Sequence, residues 1–430
     1  MRHPRERWTP HMSRREFLLR SAGTAIALPS LSAILAACGR REQEGPGGGG
    51  GGLPEVLIGT PDNPVEQPIF DDNPPIESGL EPEPGPLRIY NWADYLWPKV
   101  LKDFAKEYGI EYEPVTTFYN EEEAIRKLQT GELKVDVWFP TGEVVSKAVA
   151  GKLLQPLNHD YIPNLKTNVW PSLADPFYDQ GSRYTVPYTV YQTGIGWRTD
   201  MVDSADILEV ENPWDVFWNP RYKGIAGLYD DFEEALAAAA YRLGFDPYEE
   251  DPQRILEAAD ALIELVDLVN IRYTIDGAYA KLPEGKFGVH QAWSGDMVAT
   301  WWYYPKGEDP RTAQYLWPPK APNPARGNIA NDCIAIVRGA EHPVLAHHFL
   351  NFMLDEKHAL DNFSWVGYQP PQNGVDPDSL VEEGYVKPWL KSAIVQKEDF
   401  DAAMGVTPRQ LTPEEEAMWL DAWQRVQTGG

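Results

Sequence analysis

The chain has 430 residues, of which 43% are hydrophobic and 24% charged, with a formal net charge of −27 at pH 7. This composition is typical of a globular protein large enough for two domains, and the strong negative charge excludes nucleic acid as a partner while it attracts small cations. Beyond the N-terminal region, no apolar run reaches the roughly 18 residues that a membrane-spanning helix requires.

Residues 1–38 have the pattern of a twin-arginine export signal that ends in a lipidation site. Paired arginines at residues 14–15 precede an apolar stretch over 22–37, which is interrupted by Pro29 and ends in the run Leu-Ala-Ala-Cys at Cys38. The interruption and the short length make a signal-anchor helix the weaker alternative. The pattern predicts an exported protein, at the outer face of the cytoplasmic membrane or in the periplasm, held at the membrane through a lipid on Cys38.

Residues 39–86 are predicted to form a flexible tether. A glycine run at 47–52 is followed by a stretch rich in Pro, Asp and Glu. Glycine has no side chain whose burial could offset the entropy lost when the chain becomes ordered. Repeated proline favours an extended, solvated chain. If Cys38 is lipidated, Cys333 has no partner for an internal disulfide, and its apolar surroundings predict a small core residue.

From residue 87 the pattern changes to alternating strands and helices. The first helix begins at Pro98 and ends at Gly109, and the second ends at Gly131. The predicted elements are a strand at 87–90, a helix at 98–108, a strand around 110–112, a helix around 124–128 and a strand at 135–139. This βαβαβ order predicts a parallel sheet covered by helices, with ligands bound at the carboxyl ends of the strands.

A second lobe is predicted to begin near Thr193. Its elements are helices at 232–243 and 252–269, the latter with Asp251 as N-cap, and a strand at 286–293. A strand at 332–337 and a helix at 342–354 are predicted to follow further along the chain. The last helix opens with a capping box at Thr412. Its predicted core face consists of Met418, Trp419, Ala422 and Val426.

The chain carries no motif of a known catalytic chemistry. It has no glycine-rich phosphate loop and no nucleophile elbow, and the histidines at 342, 347 and 348 are not spaced to share one helix face. We therefore predict no catalytic residue, no cofactor and no metal site. Aromatic residues instead stand beside carboxylates after several predicted strands, a combination that suits a flexible organic cation. The alternative for each such pair is a core aromatic or a helix-capping charge.

Six short segments of the chain, taken together, resemble the spermidine- and putrescine-binding proteins of bacterial ABC importers, a periplasmic substrate-binding family. The resemblance extends from about residue 87 to near the C-terminus, with its anchors in the order of the family. The anchors lie at residues 88–95, 186–188, 193–196, 292–296, 331–332 and 366–370.

The resemblance implies an α/β fold of two lobes, the type II periplasmic-binding-protein fold, in which the chain crosses the hinge three times. Lobe 1 would comprise residues 87–192 and 331–375, and lobe 2 residues 193–330 and 376–430. The lobes of such a protein close on the ligand.

The resemblance also implies a set of ligand-binding residues. They are Trp92, Asp94, Tyr95, Thr141, Glu143, Asp231, Glu234, Trp293, Asp296, Asp332 and Tyr368. The tryptophans and Tyr368 would pack on the methylene chain and ammonium groups, and the acids would pair with the amines. Two positions depart from the family: Glu143 stands where an aromatic residue is often found, and Ala330 replaces a bulky aromatic.

The function that follows is capture of a polyamine by a lipid-anchored monomer for delivery to an ABC permease. Spermidine is favoured over putrescine, because a diamine would leave several carboxylates unpaired. One alternative is a sugar-binding lipoprotein, since tryptophan also stacks on pyranose rings, although the excess of carboxylates over amides argues against it. Another is a glycoside hydrolase using paired carboxylates, which needs an acid of raised pKa and a path for water.

Overall fold

The computed structural model describes most of the chain beyond the predicted export signal. The described residues are 56–118, 120–248, 251, 253–318, 327–401 and 405–429. Cys38, the export signal and residues 39–55 of the predicted tether lie outside them. Among the described residues, no helix is long and apolar enough to cross a membrane.

Within the described residues, nine strands form one sheet with two halves. The strands are Ile89–Trp92 (β1), Thr116–Phe118 (β2), Val137–Trp138 (β3), Thr185–Arg198 (β4), Ala226–Leu228 (β5), Arg272–Tyr273 (β6), Val289–Trp293 (β7), Ala313–Leu316 (β8) and Ile329–Ile336 (β9). Their order is β2-β1-β3-β9-β4-β7-β5-β6, and β8 pairs with β4. The predicted parallel pairing holds for β1, β2 and β3, but β9 runs antiparallel to both β3 and β4, so the sheet is mixed.

The long strand β4 joins the two halves. Its residues 185–192 pair with β9, whereas residues 193–198 pair with β7 and β8. The change of partner coincides with the predicted start of the second lobe at Thr193.

Helices cover both faces of the sheet. They are Pro98–Tyr108 (α1), Glu121–Thr130 (α2), Val145–Ala150 (α3), Asn164–Asn168 (α4), Pro171–Ala174 (α5), Ala205–Leu208 (α6), Phe232–Leu243 (α7), Arg254–Val269 (α8), Ser294–Ala299 (α9), Pro343–Met353 (α10), Glu356–Val366 (α11), Pro377–Glu382 (α12), Lys397–Asp401 (α13) and Pro413–Thr428 (α14). The predicted helices all form. The left-handed backbone of Gly109, with φ 66°, ends α1 as expected.

Two local predictions are wrong. The strand expected around 110–112 forms instead at β2, because the amide of Ile110 donates to the carbonyl of Ala105 and so completes the cap of α1. Asp251 is not the N-cap of α8, which begins at Arg254 after Gln253; the carboxylate of Asp251 instead accepts from the amide of Gln253 at 3.1 Å.

The last helix has the predicted capping box, in which the Thr412 hydroxyl accepts from the amide of Glu415 and the Glu415 carboxylate accepts from the amide of Thr412. Of its predicted core face, Met418 is only half-buried, and Trp423 is buried in addition. Cys333 in β9 is fully buried, as predicted.

The predicted tether is wrong for residues 56–86, which pack along the first half of the sheet. Gln67 is 1% exposed, and its side-chain amide donates to the hydroxyl of Ser146 and the carbonyl of Tyr178. Near the end of the segment, the carboxylate of Glu83 accepts from the amide of Leu345 at 2.9 Å and so caps the N-terminus of α10. Amide side chains at such positions provide specific anchors that a count of proline and charge does not reveal.

The carboxyl ends of four strands converge on one cleft. Strands β1 and β3 contribute from the first half of the sheet, and β5 and β7 from the second. Each of these strands is short and largely buried, so the side chains that follow its end emerge at the edge where ligands bind in sheets of this kind.

Candidate ligand-binding site

A cavity of about 480 Å³ lies between the two halves of the sheet, and all eleven predicted ligand-binding residues line it. Its lining residues include ten carboxylates and eleven aromatic side chains, but no lysine, arginine or histidine among the residues described. Such a wall suits a ligand that is cationic and partly apolar.

Asp332 carries an open acceptor in this cavity. The side chain is 6% exposed, and its Oδ2 accepts a hydrogen bond from the Tyr95 hydroxyl at 2.5 Å, whereas Oδ1 is buried with no hydrogen-bond partner among the residues that the structure describes. Burial raises the pKa of Asp332 to about 7, the Tyr95 hydroxyl opposes the rise, and the nearby Glu143 adds to it. Because an unsatisfied buried acceptor costs free energy, Oδ1 is poised to accept from a ligand.

A chain of hydroxyl groups fixes the position of Asp332. The Tyr95 hydroxyl that donates to Asp332 lies 2.5 Å from Oγ1 of Thr189. The Tyr188 hydroxyl donates to the carbonyl of Tyr95 and accepts from Asn362 at 2.7 Å. This network holds the carboxylate in one orientation before any ligand arrives.

Asp296 on the opposite wall is fully engaged by tyrosines. Its two oxygens accept from the hydroxyls of Tyr229 at 2.9 Å and Tyr368 at 2.8 Å. Burial raises the pKa of Asp296 to about 7, and the two hydroxyls oppose that rise. The ring of Tyr368 lies against Gly295, where a Cβ would come within 2.3 Å of the ring, so glycine is required for this placement.

Glu234 holds the indole of Trp293. Its carboxylate accepts from Trp293 Nε1 at 2.7 Å, from the Thr193 hydroxyl at 3.0 Å and from the Gln291 amide at 3.0 Å. The indole stacks on Tyr229 with ring centroids 3.9 Å apart and 16° between the planes. Burial raises the pKa of Glu234 to about 8. Glu234, which was expected to pair with an amine, therefore already accepts hydrogen bonds from neutral donors. Its position is suited to orienting the indole of Trp293.

The remaining predicted acids differ in their exposure. Asp231 caps α7 by accepting from the amide of Glu234 at 3.0 Å. Glu143 is half-buried in the turn Gly142–Val144, and loss of water raises its pKa to about 7. Asp94 is exposed at the rim in a left-handed conformation with φ 57°.

The other predicted residues complete the floor. Trp92 is half-buried, with its ring 4.6 Å from that of Phe118, and Thr141 forms a bridge with Asp332 in β9. Ala330 is 5% exposed, within a strand that lines the cavity nearby.

Sequence reasoning missed several lining residues. Tyr191 sits in β4 with its ring facing Tyr368, at 6.3 Å between centroids, and the pattern of a buried strand gave no reason to single it out. Glu121 and Glu233 also line the cavity, and in the sequence both resemble ordinary first-turn charges of helices. The aromatic-plus-acid pattern that located the other residues includes a signal for Glu233, which follows Phe232.

A family model described as bacterial extracellular solute-binding protein matches residues 99–386. The chain belongs to this family. Among curated relatives, the putrescine/cadaverine-binding protein of Pseudomonas aeruginosa is 28% identical over 312 residues, covering 71% of this chain and 83% of the relative. The spermidine/putrescine-binding periplasmic protein 1 of Haemophilus influenzae is 26% identical over 307 residues, covering 70% and 80%.

Solved structures confirm the predicted two-lobe fold of this solute-binding protein. The spermidine/putrescine ABC transporter substrate-binding protein PotD from Streptococcus pneumoniae superposes with a TM-score of 0.64 at 24% identity, covering 80% of this chain and 98% of that one. The Tp0655 lipoprotein of Treponema pallidum gives a TM-score of 0.64 at 20% identity, covering 79% and 98%. At these identities the likeness establishes the type II periplasmic-binding fold.

Proposed function

We propose that this solute-binding protein captures a linear polyamine in the cavity between its lobes. The observation that carries the proposal is the open Oδ1 of buried Asp332, in a cavity with many aromatic and acidic side chains and no cationic lining residue among those described. An ammonium group supplies the missing donor and the opposite charge at once. The curated relatives, which are named for binding putrescine, cadaverine or spermidine, support the same ligand class.

The two walls would act on different parts of the ligand. Asp332 pairs with one ammonium group, and the faces of Trp293 and Tyr368 pack against methylene groups. Glu234 and Asp296 keep those two rings in place through the bonds described above. Because the ring positions are fixed beforehand, less entropy is lost when the ligand binds.

We further propose that the ligand is held by closure of the two lobes with boundaries at residues 87–192 and 331–375 against 193–330 and 376–430. The change of strand partners within β4 at residues 192–193 supports a hinge there. Closure removes water from the amines and strengthens each ion pair.

Spermidine is proposed to bind more tightly than putrescine. Glu234 and Asp296 already hold tryptophan, tyrosine, threonine and amide donors, so the acids that remain for the amines are chiefly Asp332 and Glu143, with Asp231 beside them. Even this smaller set exceeds what a diamine can neutralise after one end is bound at Asp332. A buried unpaired charge is costly, so a third ammonium group improves the match.

Titration calorimetry with putrescine, spermidine, an amino acid and an oligosaccharide tests the ligand class. We expect saturable binding of both polyamines and none of the other two ligands. Saturable oligosaccharide binding without polyamine binding would overturn the proposal. Putrescine binding about tenfold tighter than spermidine would overturn only the order of preference.

Anchoring and delivery are also proposed. A lipid on Cys38 would hold a monomeric protein at the outer face of the membrane, after twin-arginine export, for transfer of ligand to an ABC importer. The name of the Treponema pallidum neighbour, a lipoprotein of the same fold, supports this arrangement. Replacement Cys38→Ser should move the protein from the membrane fraction to the soluble fraction. An unchanged membrane fraction would contradict the lipid anchor.

A further inference from the structure

Two acids outside the predicted set, Glu121 and Glu233, line the same cavity as Glu143. Glu121 is the first residue of α2, Glu143 belongs to the turn after β3, and Glu233 lies in the first turn of α7. The first two belong to the first half of the molecule and the third to the second half. A ligand group between them would contact both halves.

The first turn of α2 shows that Glu121 is not an ordinary helix-capping charge. Glu123 in this turn is exposed and forms an ion pair with Lys127 at 2.7 Å, and Glu122 accepts from the Lys147 ammonium group at 2.7 Å. Both oxygens of Glu121, by contrast, are shut off from solvent, and neither accepts a hydrogen bond of ordinary distance and angle from a described residue. Favourable interaction with the helix dipole is available to an exposed acid and does not require this burial.

Nearby cations are engaged elsewhere. The Lys147 ammonium group is 1% exposed and is shared between Glu122 and Glu416, at 2.7 and 3.0 Å. Arg409 lies near Tyr248 but pairs with Glu415 at 2.6 Å. Within the described part of the chain, no ion pair reaches Glu121, Glu143 or Glu233.

The three acids also disfavour one another's charge. Burial is the main cause that raises the pKa of Glu121, and the nearby Glu143 and Asp332 raise it further, while the backbone amide of Thr141 opposes the rise. Burial likewise raises the pKa of Glu233, to which Glu143 adds, although the Tyr248 hydroxyl donates to its carboxylate at 2.9 Å. A cation placed among the three acids would reduce the repulsion between their charges. It would also donate the hydrogen bonds that the Glu121 oxygens lack.

We propose that Glu121, Glu143 and Glu233 form a second cation subsite for the far ammonium groups of a linear tetraamine whose first ammonium binds Asp332. The inference rests on the proposed polyamine function and extends it to a class of longer ligands. Asp332 and the three acids together provide four carboxylates that pair with no cation of the described residues, and a tetraamine brings four ammonium groups. Putrescine, bound at Asp332, would leave the subsite largely empty.

Calorimetry with spermine and putrescine, at one pH and one salt concentration, tests the subsite. We expect the wild-type protein to bind spermine at least about tenfold more tightly than putrescine, because each additional buried ion pair contributes to the binding free energy. In Glu121→Gln/Glu233→Gln, the ratio should fall to less than about threefold, with the putrescine Kd unchanged. Glu123→Gln, in the same turn but exposed, is the matched control and should leave both Kd values unchanged.

The possible results separate the subsite from the function beneath it. Equal weakening of spermine and putrescine in the double variant would overturn the subsite and assign the acids a structural role, as would an unchanged spermine Kd. Absence of binding to any polyamine by the wild-type protein would overturn the proposed function and the subsite together. Thermal unfolding of both single glutamine variants checks that they fold, so that either one can replace the double variant in the comparison.

Discussion

The two walls of the cavity carry acidic side chains in opposite hydrogen-bonding states. On the wall from the second half of the sheet, Glu234 and Asp296 have their oxygens filled by tyrosine, tryptophan, threonine and amide donors. On the wall from the first half, Asp332 keeps one open oxygen and Glu121 keeps two. Both walls are buried and both raise the pKa of their acids, so burial alone does not distinguish them.

The difference separates positioning from recognition. An acid whose oxygens are already satisfied can hold an aromatic ring but has little left to offer an ammonium group, whereas an acid with an open oxygen gains most from one. On the second-half wall, Glu234 and Asp296 therefore fix the positions of aromatic rings, whereas Asp332 and Glu121 on the first-half wall offer open acceptors to a cation. We therefore expect ligand specificity to depend on the number of open acceptors rather than on the total number of acids.

Removing the open acceptor should have the largest effect. We expect Asp332→Ala to weaken spermidine binding by about 30-fold or more, since loss of one partner of a buried charge pair costs about 2–5 kcal/mol. Calorimetry measures the Kd, and thermal unfolding checks the fold. Asp332→Asn, which keeps the shape but not the charge, should lose nearly as much. An unchanged affinity in either variant would remove Asp332 from the site.

Acidification should act on the same wall through protonation. Asp332, with a pKa raised to about 7, faces Tyr95 and the equally raised Glu143, and it is protonated below that pH. Polyamine amines titrate near pH 10, so they stay cationic at neutral pH. Lowering the pH from 8 to 6 should therefore weaken spermidine binding by about tenfold for each carboxylate that must ionise.

Spermidine titrations at pH 6, 7 and 8 measure this dependence, and Asp332→Asn should give a shallower profile. Affinity that rises on acidification would show that the open acids do not bind the ligand as carboxylates.

Glu234 and Trp293 on the second-half wall should show energetic coupling, because Glu234 acts on the ligand through the indole of Trp293. Glu234→Ala releases the indole of Trp293, and we expect it and Trp293→Ala each to weaken binding by about fivefold. Because both variants disturb the same ring, the double variant should be hardly weaker than Trp293→Ala alone. Additive losses in this double-mutant cycle would mean that Glu234 contacts the ligand independently.

Asp94 at the exposed rim should contribute least. A rim charge is well solvated, so Asp94→Asn should change the Kd by less than about threefold and act mainly on the association rate and its salt dependence. Stopped-flow measurements at two salt concentrations separate these quantities. A loss as large as that of Asp332→Ala would place Asp94 inside the closed site.

Much of this fold could be predicted because its local signals are strong. Gly109 and Gly131 end helices in the left-handed conformation, and the capping box at Thr412 fixes the start of the last helix. The order of short apolar strands and amphipathic helices likewise predicted where the lining residues would meet. These features depend on residues that are close in sequence, so they can be read from a single amino-acid sequence.

The features that escaped prediction depend on partners distant in sequence. Residues 56–86 have the composition of a solvated chain, but in the fold Gln67 donates hydrogen bonds to Ser146 and Tyr178, which lie 79 and 111 residues away in sequence. Glu121 and Glu123 look alike in one helical turn, and only the folded chain turns one inward and the other to water. For the same reason the sequence could not separate the satisfied acids from the open ones.

The central claim is that the open oxygen of Asp332 receives an ammonium group of a polyamine. Titration of wild-type protein and Asp332→Asn with spermidine at pH 8 tests it most directly. We expect saturable one-to-one binding by the wild type and an affinity at least about 30-fold lower for the variant, with thermal unfolding of the free proteins showing both to be folded. Equal affinities, or no binding of spermidine by the folded wild type, would contradict it.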